Sequence, residues 1–80
     1  MNKQVIVYSM DDCVECEFVK RVLTEEKVPF EVRDVRTNEK YQQEVEGFGF
    51  LGVPVTVWEN RAIKGFVPEL QEMIDRAKNG

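Results

Sequence analysis

Hydrophobic residues in this chain form short β-branched runs separated by stretches with helical spacing. Gln4 to Ser9 is nearly continuous in apolar, β-branched character, which predicts a strand buried on both faces. Val14, Phe18 and Val22 then repeat at i, i+4 and i+8, with Val19 and Leu23 on the adjoining line. That spacing predicts an amphipathic helix reaching about Glu26, its stripe turned to a sheet. Asp11 and Asp12 precede it as N-cap candidates. Val28-Pro29 ends it, because proline disfavours a helical residue before it. Phe30 to Val35 sets Phe30 and Val32 against Glu31 and Arg33, the alternation of a strand with one covered face.

Thr37 or Asn38 is placed to cap a short helix over roughly Glu39 to Glu46, with Gly47 at its C-terminal end. Val55 to Trp58 predicts a third strand and Ala62 to Lys64 a fourth, joined by a turn at Glu59-Asn60. Pro68 suits the first turn of a last helix whose inner face carries Leu70, Met73, Ile74 and Ala77. The order β-α-β-α-β-β-α with right-handed crossovers predicts a single α/β domain over residues 1–80. It is a four-stranded mixed sheet with three helices distributed on both faces. Strands one and two run parallel, and the hairpin of strands three and four lies antiparallel on the other side.

Candidate chemistry sits where the first strand meets the first helix. Cys13-Val14-Glu15-Cys16 holds the only two cysteines of the chain. A helix N-terminus stabilises a thiolate through its unpaired N–H groups and dipole, and the spacing brings the second thiol within reach of the first. A mixed disulfide on Cys13 is then resolved by Cys16 in the same molecule. Ligand sites of open α/β sheets also lie at the carboxyl ends of strands, where Cys13 falls. Other readings stay open. A zinc or iron–sulfur centre wants about four Cys or His ligands, which a chain with no histidine supplies only by pairing with a second copy. A purely structural disulfide closes too small a loop to constrain the unfolded chain much. Two unrelated buried cysteines fit poorly behind the polar Asp11-Asp12.

Val53-Pro54 stands directly before the third strand. Proline is tolerated there because no ladder donor is needed. A cis bond is the sharper reading, turning the Val53 backbone outward beside Cys13 for an extended substrate segment to pair with.

Composition narrows the class further. The chain is 42% hydrophobic and 32% charged, as in ordinary soluble domains, and its net charge is −4. That balance speaks against nucleic acid, which demands a basic face, and leaves room for partners with basic surfaces. No stretch is long enough to span a bilayer, and the N-terminus lacks a signal-peptide pattern, so a cytoplasmic location is expected. There a Cys-x-x-Cys pair is more often redox-active or metal-binding than structural.

The chain resembles the thioredoxin superfamily, specifically its small glutaredoxin-like branch. Val7-Tyr8-Ser9 before Cys13-Val14-Glu15-Cys16, Val28-Pro29-Phe30 at strand two, and Gly52-Val53-Pro54-Val55-Thr56 match in order and spacing. It is also similar to the redoxins that donate electrons to class Ib ribonucleotide reductase. Those carry a Cys-Val-x-Cys motif and a late Trp-Ser-Gly-Phe-Arg-Pro segment. Ile63-Lys64-Gly65-Phe66-Val67-Pro68 keeps the Gly-Phe and the Pro of that segment without its Trp, Ser and Arg. Glutathione-dependent glutaredoxins have Gly-Gly and an acidic residue here, and thioredoxins have Trp before the first cysteine and Gly-Pro between the pair.

The resemblance implies a dithiol–disulfide oxidoreductase that needs no cofactor beyond a Cys13–Cys16 disulfide and no metal. Thioredoxin reductase rather than glutathione would reduce it, and ribonucleotide reductase would be its disulfide substrate. Val53, Pro54, Gly65 and Phe66 would bind substrate, and the protein would act as a monomer, without nucleic acid or membrane. Phe48, Phe50 and Leu51 would add to an apolar rim around the site. A redox-sensing regulator without turnover is the competing class, and a glutathione-dependent glutaredoxin the competing subfamily. Lys20 is the one cation placed to help a Cys13 thiolate, against Asp11, Asp12, Glu15 and Glu17, so a moderate thiolate pKa is expected.

Overall fold

Seven elements follow one another along residues 4–79, which the computed structural model of the protein describes. They are β1 (Val5–Ser9), α1 (Val14–Glu25), β2 (Phe30–Asp34), α2 (Glu39–Gly47), β3 (Val55–Trp58), β4 (Arg61–Lys64) and α3 (Pro68–Asn79). The strand order is β2-β1-β3-β4. β1 pairs parallel with β2, Val5 facing Phe30 and Ser9 facing Asp34. β3 is antiparallel to β1, with Val55 across from Tyr8, and β4 completes the hairpin. Sheet, helix number and order are those expected from the sequence.

Strand alternation sorts the core into two layers. Val5 and Val7 of β1 pack with Val19 and Leu23 of α1 and with Leu70 and Ile74 of α3. On the opposite face Tyr8, Val55 and Val57 meet Val45 of α2. α1 and α3 therefore cover one face and α2 the other.

Three local expectations are corrected. The buried line of α1 is Cys16, Val19 and Leu23, whereas Val14 and Phe18 point to solvent and Val22 is half-buried. The cap of α1 is Cys13 itself, extended at φ −113°, whose sulfur accepts from the Cys16 N–H. Asp12 is in the left-handed region at φ 61° and serves the turn before the cap. The third concerns helix ends. Gly47 stays inside α2, and Gly49 at φ 94° takes the left-handed position after the Phe48 cap. There Phe50 N–H donates to the Val45 carbonyl at 3.2 Å and Gly49 N–H to that of Glu46 at 2.9 Å, a Schellman ending. α1 closes the same way at Lys27, φ 61°, with Val28 N–H on the Leu23 carbonyl at 3.0 Å, before Pro29 is reached.

β2 departs from simple alternation, because Val32 is exposed and Arg33 is the organised side chain. Its guanidinium donates to Glu31 at 2.6 Å, to Glu44 at 2.9 Å and to the Tyr8 hydroxyl at 3.2 Å, while Tyr8 donates to Glu44 at 2.7 Å. It also lies over the Tyr8 and Tyr41 rings, 5.8 and 5.4 Å from their centroids. This cluster ties β1, β2 and α2 together.

Candidate active site

The redox pair stands where β1 hands the chain to α1. Cys13, half-buried, and Cys16, fully buried, are joined in a disulfide with their Cα atoms 5.2 Å apart. The difference in burial follows from position. Cys13 caps the helix at the sheet edge, whereas Cys16 lies one turn further in on the buried line. Cys16 N–H points at Cys13 Sγ from 3.2 Å. In the reduced protein that donor and the helix dipole favour negative charge on Cys13. Lys20 does not add to this, since its ammonium pairs with Glu17 at 2.8 Å.

Val53-Pro54 is cis. The register of β3 against β1, Val55 across from Tyr8, sets it beside the end of β1 from which the cysteine loop departs. Pro54 is buried and Val53 half-buried. The Pro54 carbonyl accepts from Gly65 N–H at 2.8 Å, which draws the segment after β4 toward the same edge.

Glu15, between the two cysteines, completes the connection. Its Oε2 accepts from Phe66 N–H at 3.0 Å. Gly65 holds φ 87°, and a Cβ there would come within 3.3 Å of that same oxygen, so glycine lets the two segments meet. Phe66 then lays its ring against Phe18, centroids 5.6 Å apart. The six proposed site residues thus gather at one edge: Cys13 and Cys16 on α1, Val53 and Pro54 before β3, Gly65 and Phe66 after β4. Glu15 was missed as the residue that joins them. Its partner is 51 positions away, and a carboxylate on an exposed helical turn carries no sign of it.

Around the disulfide the surface is apolar with an acidic border. Val14 is 67% exposed, Phe18 43% and Phe66 48%. A groove of about 350 Å³ runs between α1 and the start of α3, lined by Val22, Phe66, Val67, Pro68, Leu70 and Ile74. Asp11, Asp12, Glu15 and Glu17, which flank and interleave the cysteine pair in the chain, are all exposed. Leu51 is exposed as expected, but Phe50 packs into the α2-side core and Phe48 sets its ring on edge to Tyr8. Those two aromatics belong to the second face rather than the rim. Among the described residues no group of three or more His, Cys, Asp or Glu could hold a metal ion. No described helix is long and apolar enough to cross a membrane.

A strand feeding two cysteines into the first turn of a helix, with a cis-proline beside them, performs thiol–disulfide exchange in proteins of the thioredoxin fold. This protein is a thiol–disulfide oxidoreductase of that fold. Residues 5–63 match the glutaredoxin family, and the chain belongs to it, as a glutaredoxin-like protein of NrdH type. The glutaredoxin-like protein NrdH of Lactococcus lactis subsp. lactis (strain IL1403) is 31% identical over 64 residues, 80% of this chain and 89% of that protein. The gene 56 protein of Mycobacterium phage L5 is 36% identical over 74 residues, 89% of this chain and 72% of its own. Among solved structures, Escherichia coli NrdH-redoxin, described as a glutaredoxin-like protein with a thioredoxin-like activity profile, superposes with a TM-score of 0.79 at 27% identity. That match covers 91% of this chain and 92% of the other.

Proposed function

We propose that this protein carries electrons from thioredoxin reductase to protein disulfides, that of a ribonucleotide reductase among them, with Cys13 as nucleophile and Cys16 as resolving thiol. The carrying observation is the junction of Glu15 with Phe66 N–H at 3.0 Å. It fixes an apolar ring beside the disulfide, at the place where a glutathione-dependent protein would offer polar groups. Exposed apolar residues rimming a reactive cysteine suit a protein surface better than a charged tripeptide. The acidic border of Asp11, Asp12, Glu15 and Glu17 favours a partner with basic residues around its own redox pair.

In the exchange, Cys13 thiolate attacks one sulfur of the substrate disulfide and forms a mixed disulfide. The other substrate sulfur leaves as a thiolate and takes a proton from water. Cys16 thiolate then attacks Cys13 Sγ, forming the Cys13–Cys16 disulfide and releasing the second substrate thiol. Two electrons have moved to the substrate, and the reductase returns two. Val53 offers backbone groups to an extended substrate segment during the first step. The small acidic chain is consistent with action in the cytoplasm.

The test is NADPH consumption with a disulfide substrate, driven either by thioredoxin reductase or by glutathione with glutathione reductase. Efficient turnover is expected with the first and negligible turnover with the second. A potential near the thioredoxin value of about −270 mV is expected, rather than the about −200 to −230 mV of glutaredoxins. Faster reduction by glutathione would overturn both the partner and the reading of the Gly65-Phe66 segment.

A further inference from the structure

Buried hydroxyls normally find a hydrogen-bond partner. Thr56 Oγ1 has none, although its residue is 0% exposed. Thr56 lies in β3, an inner strand, directly across from Val7 of β1. Its neighbours Val55 and Val57 pack on the α2 side, so alternation turns the Thr56 side chain to the opposite face, the one that α1 and α3 cover, with α3 packed on β3 and α1 on β1. On that face Val5 and Val7 pack against Val19 and Leu23 of α1. Because α1 runs back over β1, the first residue of its buried line, Cys16, stands at the end of the face where β1 finishes and β3 begins. Cys16 and Thr56 are both fully buried there, and neither belongs to the two apolar clusters.

The disulfide sulfur of Cys16 is neutral and requires no donor. Reduction changes that, since resolution demands a Cys16 thiolate inside the protein. Burial disfavours the anion, the chain has no histidine, and Lys20 is paired with Glu17. We propose that the Thr56 hydroxyl, unpartnered in the oxidised form, donates its hydrogen bond to the Cys16 thiolate and so speeds the closing step of the exchange. The inference rests on Cys16 being the resolving thiol. The electron bookkeeping is unchanged: the hydroxyl keeps its proton, and the Cys16 proton leaves to solvent before attack on Cys13 Sγ.

Excess 5,5′-dithiobis(2-nitrobenzoate) mixed with the reduced protein separates the steps. Cys13 releases the first thionitrobenzoate in a phase that depends on reagent concentration. Cys16 releases the second in a phase that does not. In Thr56→Val the first phase should be unchanged. The second should slow about tenfold at neutral pH, with its pH midpoint moved up about one unit, as expected for the loss of one hydrogen bond to a charged sulfur. Thr56→Ser should restore both. An unaltered second phase, or equal slowing of both phases, would overturn the inference. Should Thr56→Val fail to fold, the Thr56 methyl resonance of reduced wild type serves instead. It must titrate with the midpoint of the second phase, and a pH-independent shift would overturn the inference. Two single variants isolate the underlying assignment: Cys13 in Cys16→Ser should release its one equivalent at the first-phase rate of wild type, and the buried Cys16 in Cys13→Ser should release its own far more slowly. The reverse order of rates would remove Cys16 as the resolving thiol, whatever Thr56 does.

Discussion

The two faces of the sheet use their large side chains differently. On the α2 face, Tyr8, Tyr41 and Phe48 are set against one another, and Arg33 binds Glu31, Glu44 and the Tyr8 hydroxyl across two strands and a helix. On the α1/α3 face the fully buried core is aliphatic, Phe30 and Trp58 pack half-buried against it, and Val14, Phe18, Phe66 and Val67 are left at the surface on the side of the disulfide. Apolar area left in water forgoes about 25 cal/mol per Å² of stabilisation. Both faces set aromatic residues against their cores, but the α1/α3 face also pairs Phe18 with Phe66 at the surface near the disulfide, where the proposed partner would dock. If that division is right, changes on the α2 face should move stability and spare the rate, and changes at the rim should do the reverse.

The largest effect belongs to the cysteines. Cys13→Ser should lower disulfide reduction by at least about 10³-fold, since the remaining thiol, Cys16, is fully buried. Cys16→Ser should accumulate a stable mixed disulfide with a substrate thiol, visible by intact mass. Reduced Cys13→Ser should unfold at the urea midpoint of reduced wild type, whereas reduced Cys16→Ser, with a hydroxyl at a fully buried position, should lose about 1 kcal/mol or more. If Cys13→Ser traps substrate and Cys16→Ser does not, the two roles are exchanged.

Arg33→Leu comes next and tests the other face. It leaves the Tyr8 hydroxyl and Glu44 without their shared donor and removes a cation from two rings. A loss of about 2 kcal/mol in urea unfolding is expected, with kcat/KM for the reductase within about twofold of wild type. A comparable drop in reductase turnover would show that the two faces are not independent.

The sequence showed these two regions unequally, for physical reasons. The strand order, the cysteine placement and the cis-proline were legible because each rests on local spacing or on proline chemistry. The α1 stripe was misjudged by one line. Val14, Phe18 and Val22 are as apolar as Cys16, Val19 and Leu23, and periodicity does not separate a core stripe from a binding stripe beside it. Asp11 and Asp12 look like caps, yet the left-handed turn at Asp12 passes that role to Cys13. Arg33 was read as a solvent-facing residue, because its Tyr8 and Glu44 partners are 25 and 11 positions away. Glu15 escaped notice for the same reason. What was hidden at Arg33 and Glu15 is long-range pairing of a charged side chain, which leaves no periodic trace.

Phe66→Ala sharpens the comparison from the rim. Its ring is about half exposed and touches Phe18, so truncation should lower stability by less than about 1 kcal/mol. If Phe66 anchors the reductase, kcat/KM should fall about tenfold while the reaction of Cys13 with a small disulfide is untouched. Equal losses with the protein and the small disulfide would mean that Phe66 supports the cysteine loop rather than the partner.

The smallest effect is one of pH on the α2 face. The Tyr8 phenol is raised above its ordinary value of 10.0, first by burial and then by its hydrogen bond to the Glu44 carboxylate, with Arg33 pulling the other way. Above pH 10 the unfolded chain gives up this proton before the folded protein does. The folded state then binds more protons, so its stability falls as pH rises toward the native pKa. Below pH 10 the contribution is fully present. Tyr8→Phe should lose about 1 kcal/mol at neutral pH with the hydroxyl's hydrogen bonds, and should then lose stability less steeply than wild type as pH rises above 10. Lys78 is also raised, by its pairing with Glu26, and pushes the same way. It is retained in both proteins, so the difference between the two urea series isolates Tyr8. Parallel series would assign the alkaline loss elsewhere and remove the phenol from the forces that hold this face.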